Sequence, residues 1–371
     1  MKIFNLIVNL CCKFIYFFMK FKKTKSNKIV FMSRLSDKKS LDFSLIEKEL
    51  KKKNNVECVF LCKRITSLFN GFIGNIIYTL KCLNNLADAK VCITDSYILA
   101  LSVVNHKKSL KVIQIWHSMG AIKKFGYQSV NSVSGRSNKI TEGLSMHKNY
   151  DYIISGSKEM TKYFMEAFNY SENIFLNYGL PRMDYLLKNN LKLKKKILNK
   201  YSKLNGKINI LYVPTFRTNT EDKTMDLINN IDFDKYNLIV KAHANQSLNV
   251  NDKVLLCKEF SALELLSISD YVITDYSGIA IEAAILNKKT LYYVYDYEEY
   301  KKTNGLNIDL YEEMPGCVFS DAKDLIKYID NGKYNMKNLI KYKNKYIDVK
   351  DGSSTKKICN LVVKCLKEKY E

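Results

Sequence analysis

Apolar residues fall in short runs along most of the chain, each closed by a turn residue or a charge. The clearest case is Asp270 to Asn287, DYVITDYSGIAIEAAILN. Tyr271, Val272, Ile273 and Thr274 are β-branched or aromatic and predict a strand buried on both faces. Asp275, Tyr276, Ser277 and Gly278 interrupt that run with turn and N-cap residue types. Ile279, Ala280, Ile281, Ala283, Ala284 and Ile285 then continue as a buried helix. Similar runs predict further strands at 28–34, 56–63, 90–95, 111–117, 151–157 and 173–179 in the first half. In the second half they predict strands at 208–216, 237–243, 254–258, 290–295 and 317–320. Helix-length segments separate these strands, so the expected class is α/β with parallel, doubly wound sheets. The lysine-rich stretch 191–207 reads as a linker, giving domains of about 28–200 and 201–371. Two Rossmann-like domains of this kind are expected to face a central cleft, with ligand groups supplied at strand ends.

The first 27 residues have a different pattern. Residues 3–21 are almost wholly apolar, but Asn5, Asn9, Lys13, Tyr16 and Lys20 recur every three or four positions and form one polar stripe on a helix. A span would carry Lys13 into hydrocarbon, whereas a helix lying in the interface would set the stripe among headgroups. The flank KFKKTKSNK adds a polybasic segment suited to anionic lipid. No small-x-small cleavage site follows, which argues against a signal peptide. The expectation is a peripheral, membrane-associating helix over 1–27, on the cytoplasmic face, with a true span and a helix packed on the protein itself as the alternatives.

Composition narrows the partners. The chain has 371 residues, 47% of them hydrophobic, enough for two sizeable cores. Lys plus Arg number 60 against 37 Asp plus Glu, a net charge of +23 that fits a polyanionic substrate or membrane surface. The basic residues show no nucleic-acid motif, so no nucleic-acid partner is expected. Ten cysteines lie among apolar segments without metal-ligand spacing and read as reduced core residues; no metal site is expected from them.

Chemistry-bearing residues cluster at predicted strand ends. At Asp275 to Gly278 the helix start suits a phosphate or pyrophosphate, and Glu282 on that helix suits a ligand hydroxyl. His117, in Gln114-Ile115-Trp116-His117-Ser118-Met119-Gly120, ends a strand ahead of Lys123 and Lys124 and has the type and place of a general base. In Tyr212-Val213-Pro214-Thr215-Phe216-Arg217, Arg217 could fork onto a phosphate. In Val240-Lys241-Ala242-His243, a Lys and His pair would stabilise a transferring phosphoryl group. Gly179-Leu180-Pro181-Arg182-Met183-Asp184 reads as a turn whose Arg182 pairs with Asp184 or with substrate. Each feature taken singly is commoner as a satisfied structural residue. His106 and His147 receive no role.

Taken in order, QIWHSMG, YGLPRMD, YVPTFR, KAH and TDYSGIAIEAAILNKKTLYYVYDYEEY resemble the CDP-glycerol:poly(glycerophosphate) glycerophosphotransferase family, the teichoic acid and capsule polyol-phosphate transferases, over about residues 90–355. The resemblance implies a GT-B fold peripheral to the cytoplasmic membrane face. It also implies transfer of glycerol phosphate or ribitol phosphate from a CDP-alditol to a lipid-linked glycan or polyol-phosphate acceptor. His117 matches the family's catalytic histidine, a general base, and His243 its second essential histidine, at the pyrophosphate. Thr215, Arg217, Ser277 and Gly278 match positions lining the donor phosphates, Glu282 matches an acidic position near the donor, and Lys241, Thr274 and Asp275 complete the expected donor site. Ser118-Met119 replaces a more usual Gly-Thr, Ala244 replaces a proline, and Lys289 replaces another. Two alternatives stand beside this: a GT-B glycosyltransferase using a nucleotide sugar, and a non-catalytic polyanion-binding protein. Glycerol and ribitol are equal choices for the donor, one unit or many for the product, and a divalent metal and the oligomeric state are open.

Overall fold

The computed structural model describes residues 2–65, 71–133, 135, 137–215, 217, 222–241 and 252–369. The chain folds into two compact units, the first formed by Met1–His117, Phe125–Arg182 and Ser353–Glu371, the second by Ser118–Lys124 and Met183–Gly352.

The first unit holds a parallel sheet of β1 (Lys28–Ser33), β2 (Glu57–Cys62), β3 (Val91–Thr94), β4 (Lys111–Gln114), β5 (Tyr152–Ile154) and β6 (Phe175–Leu176). Its order is β2-β1-β3-β4-β5-β6, every neighbouring pair parallel. The second sheet holds β7 (Ile208–Val213), β8 (Tyr236–Val240), β9 (Tyr271–Thr274), β10 (Lys289–Tyr293) and β11 (Val318–Phe319) in the order β11-β10-β9-β7-β8, again parallel. β1 and β9 are buried at every position, as their apolar centres require, and the burial extends to the polar ends Lys28, Ser33 and Thr274. The stretch 254–258, expected as a strand, contributes only an isolated parallel bridge between Leu255 and Ile239. Val254 and Cys257 are buried there, so the apolar run reflects packing without a ladder.

Both sheets reverse direction of winding once. In the first, β1 lies beside β3, and in the second β7 lies beside β9, although β2 and β8 intervene in sequence. Each reversal opens a crevice at the carboxyl ends of two adjacent strands, the usual ligand position in open α/β sheets. The residues after β1, β3, β7 and β9 therefore decide what each unit can bind.

Three helices of the first unit matter below: α1 (Lys2–Met19), α2 (Leu41–Lys51) and α3 (Phe72–Leu86). Ser40 caps α2 by accepting from the Phe43 N–H at 3.2 Å. On α1 two members of the polar stripe, Asn9 and Tyr16, face protein while Lys13 is exposed. Asn9 donates to the Gly143 carbonyl at 3.2 Å, and Tyr16 is buried with its hydroxyl 3.2 Å from His106 Nδ1. Leu6, Ile7, Leu10, Phe14, Phe17 and Phe18 of α1 are exposed, together with Cys11 and Lys13, and so is Phe21 just beyond the helix. Polar groups inside a protein need partners; the Asn9 amide N–H and the Tyr16 hydroxyl have them, and the apolar face is left outward. Among the described residues no helix is long and apolar enough to cross a membrane.

Candidate active site

In the second unit β7 and β9 end level, Val213 opposite Thr274. Two residues beyond Val213, Thr215 meets Asp275, which directly follows Thr274. The Thr215 N–H donates to Asp275 Oδ2 at 2.8 Å and its hydroxyl to Oδ1 at 2.6 Å. The Tyr276 N–H donates to Oδ1 at 2.6 Å, and Arg217 Nη1 to Oδ2 at 2.9 Å. Four donors thus fill the acceptor positions of one carboxylate. That leaves Asp275 no lone pair for the bridging cation that its place beside the phosphate turn could suggest. Among the described residues no group of three His, Cys, Asp or Glu side chains is placed to hold a metal ion.

Arg217 is likewise occupied. Its Nε donates to Asp296 Oδ2 at 2.6 Å and Nη2 to Oδ1 at 3.1 Å, a bidentate fork, while Nη1 also reaches the Thr215 carbonyl at 2.7 Å. Three tyrosine rings, Tyr276, Tyr295 and Tyr300, surround the guanidinium at 5.2 to 5.4 Å. Burial works against its charge, but Asp275 and Asp296 outweigh it and hold the pKa above the ordinary arginine value. The fork expected on a phosphate is therefore closed on Asp296. Tyr276 adds a hydroxyl bond to Asp296 Oδ1 at 2.9 Å and stacks on Tyr300 at 3.8 Å. Asp296, Tyr276 and Tyr300 were not among the expected site residues, although Asp296 lies a short way past the end of β10 and Asp275 directly follows β9.

The turn itself is short. Ser277 Oγ accepts weakly from the Ile279 N–H at 3.4 Å, and Gly278, not Ser277, precedes the seven-residue helix Ile279–Ile285. A Cβ on Gly278 would meet Ser118 Oγ at 2.3 Å, so the segment 118–124 lies directly on the turn. That segment is held like an extra edge: Lys124 N–H donates to the Gly305 carbonyl at 3.1 Å and Asn307 N–H to Ile122 at 2.9 Å. Lys123, half-buried here, is pushed toward neutrality by burial and held charged by Asp275; among the described residues its ammonium has no ion-pair partner. Glu282 is buried on the helix that follows. Thr274 is fully buried, its hydroxyl donating to the Val213 carbonyl at 2.8 Å, a strand-to-strand tie. Lys241 Nζ donates at 3.4 Å to the carbonyls of Leu256 and Cys257. His243 lies outside the described residues.

In the first unit the crevice at β1 and β3 contains His117. Trp116 sits at φ 56, an uncommon conformation for a bulky residue, and its N–H is tied to Gln114 Oε1 at 2.8 Å. This kink turns His117 so that Nδ1 lies 3.1 Å from the Asp95 carbonyl. A carbonyl can only accept, so Nδ1 carries the proton and Nε2 holds the lone pair, as a general base requires. Arg182 Nη1 donates to the His117 carbonyl at 3.2 Å. The Arg182 guanidinium and N–H are anchored by Asp42, with N–H and Nε bonds both at 2.8 Å, a partner not expected from the sequence. Pro181, expected in a turn, opens the helix Pro181–Lys200, where a missing N–H costs nothing.

His117 lines a cavity of about 350 Å³ with Arg34, Tyr97, Trp116, Phe125 and His147. His147 is buried, with Nδ1 3.0 Å from the Tyr150 hydroxyl. Asp95 is also buried, its Oδ1 lacks a hydrogen-bond partner, and burial raises its pKa from 3.8 to about 6. Asp95, Asp42 and Arg34 lay outside the expected site; each follows or faces the end of a first-unit strand, which is the signal that identifies them.

With both crevices defined, comparison with known proteins is decisive. The model of CDP-glycerol:poly(glycerophosphate) glycerophosphotransferases matches residues 14–364. The chain belongs to this family. The teichoic acid glycerol-phosphate primase of Bacillus subtilis is 31% identical over 302 residues, covering 78% of this chain and 77% of that protein. The teichoic acid ribitol-phosphate primase of Bacillus spizizenii is 29% identical over 355 residues, covering 91% and 90%. A solved structure of the wall teichoic acid polymerase TagF superposes with a TM-score of 0.77 at 19% identity, covering 100% of this chain and 98% of that one. The UDP-GlcNAc 2-epimerase of Methanocaldococcus jannaschii shares the α/β architecture at TM-score 0.58 and 15% identity. This glycerophosphotransferase-family chain is thus an enzyme of the transferase class, with the expected parallel-sheet fold.

Proposed function

We propose that this family member transfers glycerol phosphate or ribitol phosphate from a CDP-alditol to a lipid-linked glycan or polyol-phosphate acceptor, releasing CMP, in teichoic-acid-type polymer synthesis. The observation that carries the mechanism is the His117 tautomer: Nδ1 bonded to a carbonyl leaves Nε2 to accept a proton. His117 takes the proton of an acceptor hydroxyl, and the hydroxyl oxygen attacks the alditol-side phosphorus as the bond to the CMP oxygen breaks. The donor phosphates lie against the turn Asp275 to Gly278, where Ser277, Gly278 and Lys123 supply donors and positive charge. A dianionic ligand is what a half-buried lysine without a carboxylate at ion-pair distance is suited to meet.

Thr215, Arg217 and Asp275 then act as positioning residues. Their network fixes the turn and does not itself face phosphate, because its hydrogen-bonding groups already serve one another. In this reading Glu282 takes an alditol or ribose hydroxyl and Lys241 with His243 takes the leaving group; the site is read as working at the cytoplasmic membrane face with α1 as a peripheral anchor. The apolar side chains exposed on α1 and the lysines that follow it support that location.

The test is the nucleotide released when purified protein and lipid acceptor receive CDP-glycerol, CDP-ribitol or nucleotide sugars in turn. CMP from one CDP-alditol is the expected result and names the donor. UDP or CDP from a nucleotide sugar would instead make the enzyme a glycosyltransferase.

A further inference from the structure

Beside the His117 cavity the first unit contains a second one, of about 380 Å³, between α1, α3 and the chain after β3. Its walls are apolar almost throughout, with Val8 and Ile15 from α1, Ile76 and Leu83 from α3, and Ile98 and Leu144 opposite. Such a volume and lining are those of a ligand site for hydrocarbon. Arg34 and Tyr97 line both this cavity and the one that holds His117, so the two meet at those side chains. Arg34 Nη2 donates to the Ile65 carbonyl at 3.2 Å and Tyr97 donates to the Leu144 carbonyl at 2.8 Å, which fixes both at the junction.

The outer edge of the cavity is as unusual as its lining. Phe72, Ile73, Ile76, Ile77 and Leu80 stand exposed at helical spacing on α3, beside the exposed apolar face of α1. Lys20, Lys22 and Lys23 follow α1 directly. An apolar surface bordered by lysines is complementary to a lipid with an anionic head.

We infer that the α1–α3 cavity holds the hydrocarbon tail of the lipid-linked acceptor, with Arg34 at the junction receiving the acceptor's phosphate and directing its reactive end to His117. This rests on the transfer reaction proposed above for the same His117 site. It explains why one arginine is shared between an apolar chamber and a polar one. It also gives the exposed apolar face of α3 a use.

The test exploits Trp116, the single tryptophan of the chain, which lines the His117 cavity. Its fluorescence is titrated in the full-length protein with dodecyl phosphate and with butyl phosphate, both below their micellar concentrations. Dodecyl phosphate is expected to bind at least roughly tenfold tighter. Ile76→Glu should erase that preference while leaving butyl phosphate binding unchanged, Val8→Phe should do the same by filling the chamber from α1, and Arg34→Gln should weaken both probes by a similar factor. Equal affinity for the two probes in the wild type, or a preference untouched by both chamber variants, overturns the inference. So does a dimer that Ile76→Glu dissociates with no tail preference, which would assign the face to a second copy. Tail preference without CMP release from any CDP-alditol would sink the reaction and keep the lipid site; CMP release without tail preference would do the reverse.

Discussion

The two strand-reversal crevices are built from similar parts and end in opposite states. At β7 and β9 the residues past the strand ends close on one another: two carboxylates, one guanidinium, a threonine and a tyrosine hydroxyl satisfy each other within 3.1 Å. At β1 and β3 they stay open around about 350 Å³, with an imidazole whose Nδ1 meets a backbone carbonyl and, among the described residues, a carboxyl oxygen left unbonded. A closed network fixes the shape of a turn at high local stability, whereas an open one leaves groups ready to exchange protons. Position at a strand end is thus common to both, and only the hydrogen-bond inventory separates scaffold from chemistry.

The closed crevice should fail by unfolding. Arg217→Ala strands Asp275 and Asp296 as buried, uncompensated charges, and breaking such a pair costs about 3 to 5 kcal/mol. Urea unfolding should show that loss, with Arg217→Lys intermediate because a lysine cannot fork onto Asp296. A loss under about 1 kcal/mol would mean the network is no more than a surface ion pair and the contrast between the crevices is void.

The open crevice should fail in rate. His117→Ala is expected to lower turnover at least roughly a hundredfold, the ordinary worth of a general base, with an unchanged unfolding midpoint. Turnover near wild type would remove His117 from the chemistry.

Asp95 sharpens the same contrast through pH. Its carboxyl holds a proton more tightly in the folded chain, about 6 against 3.8. Between those values the unfolded chain ionises first, so the stability contribution is present below 3.8 and is lost as pH rises through about 6. Asp95→Asn should flatten that fall, gaining on the order of 2 kcal/mol at neutral pH. Parallel stability curves for the two proteins would show that the unbonded carboxyl carries no strain.

Much of this was legible in the residues. Eleven of the twelve expected strands form, because apolar runs closed by Asp, Ser or Gly leave few alternatives. Which way the stripe of α1 turns was not legible, since a polar stripe serves a headgroup layer and a protein partner equally well, and only long-range partners such as His106 and Gly143 show that Asn9 and Tyr16 turn inward. The carboxylate partners of Arg217 were not legible for the same reason: a fork fits carboxylate and phosphate alike, and Asp296 lies 79 positions away. Long-range partners of this kind leave no trace in local spacing.

The smallest expected effect tests whether the turn at the closed crevice is shaped by the segment that lies on it. Gly278 has an ordinary helical φ of −61°, so alanine is acceptable to its backbone, and only the side chain of Ser118 stands in the way at 2.3 Å. Gly278→Ala must turn that hydroxyl aside, losing its bonds with the Gly120 carbonyl at 2.8 Å and N–H at 3.3 Å. The cost should be about 1 kcal/mol by thermal unfolding. Ser118→Gly removes the obstacle, so the double variant Ser118→Gly with Gly278→Ala should recover part of the loss, a coupling that two independent sites would not show. Strict additivity would mean that the turn does not feel the segment 118–124, and Lys123 would then lose its reason for a place beside the donor phosphates.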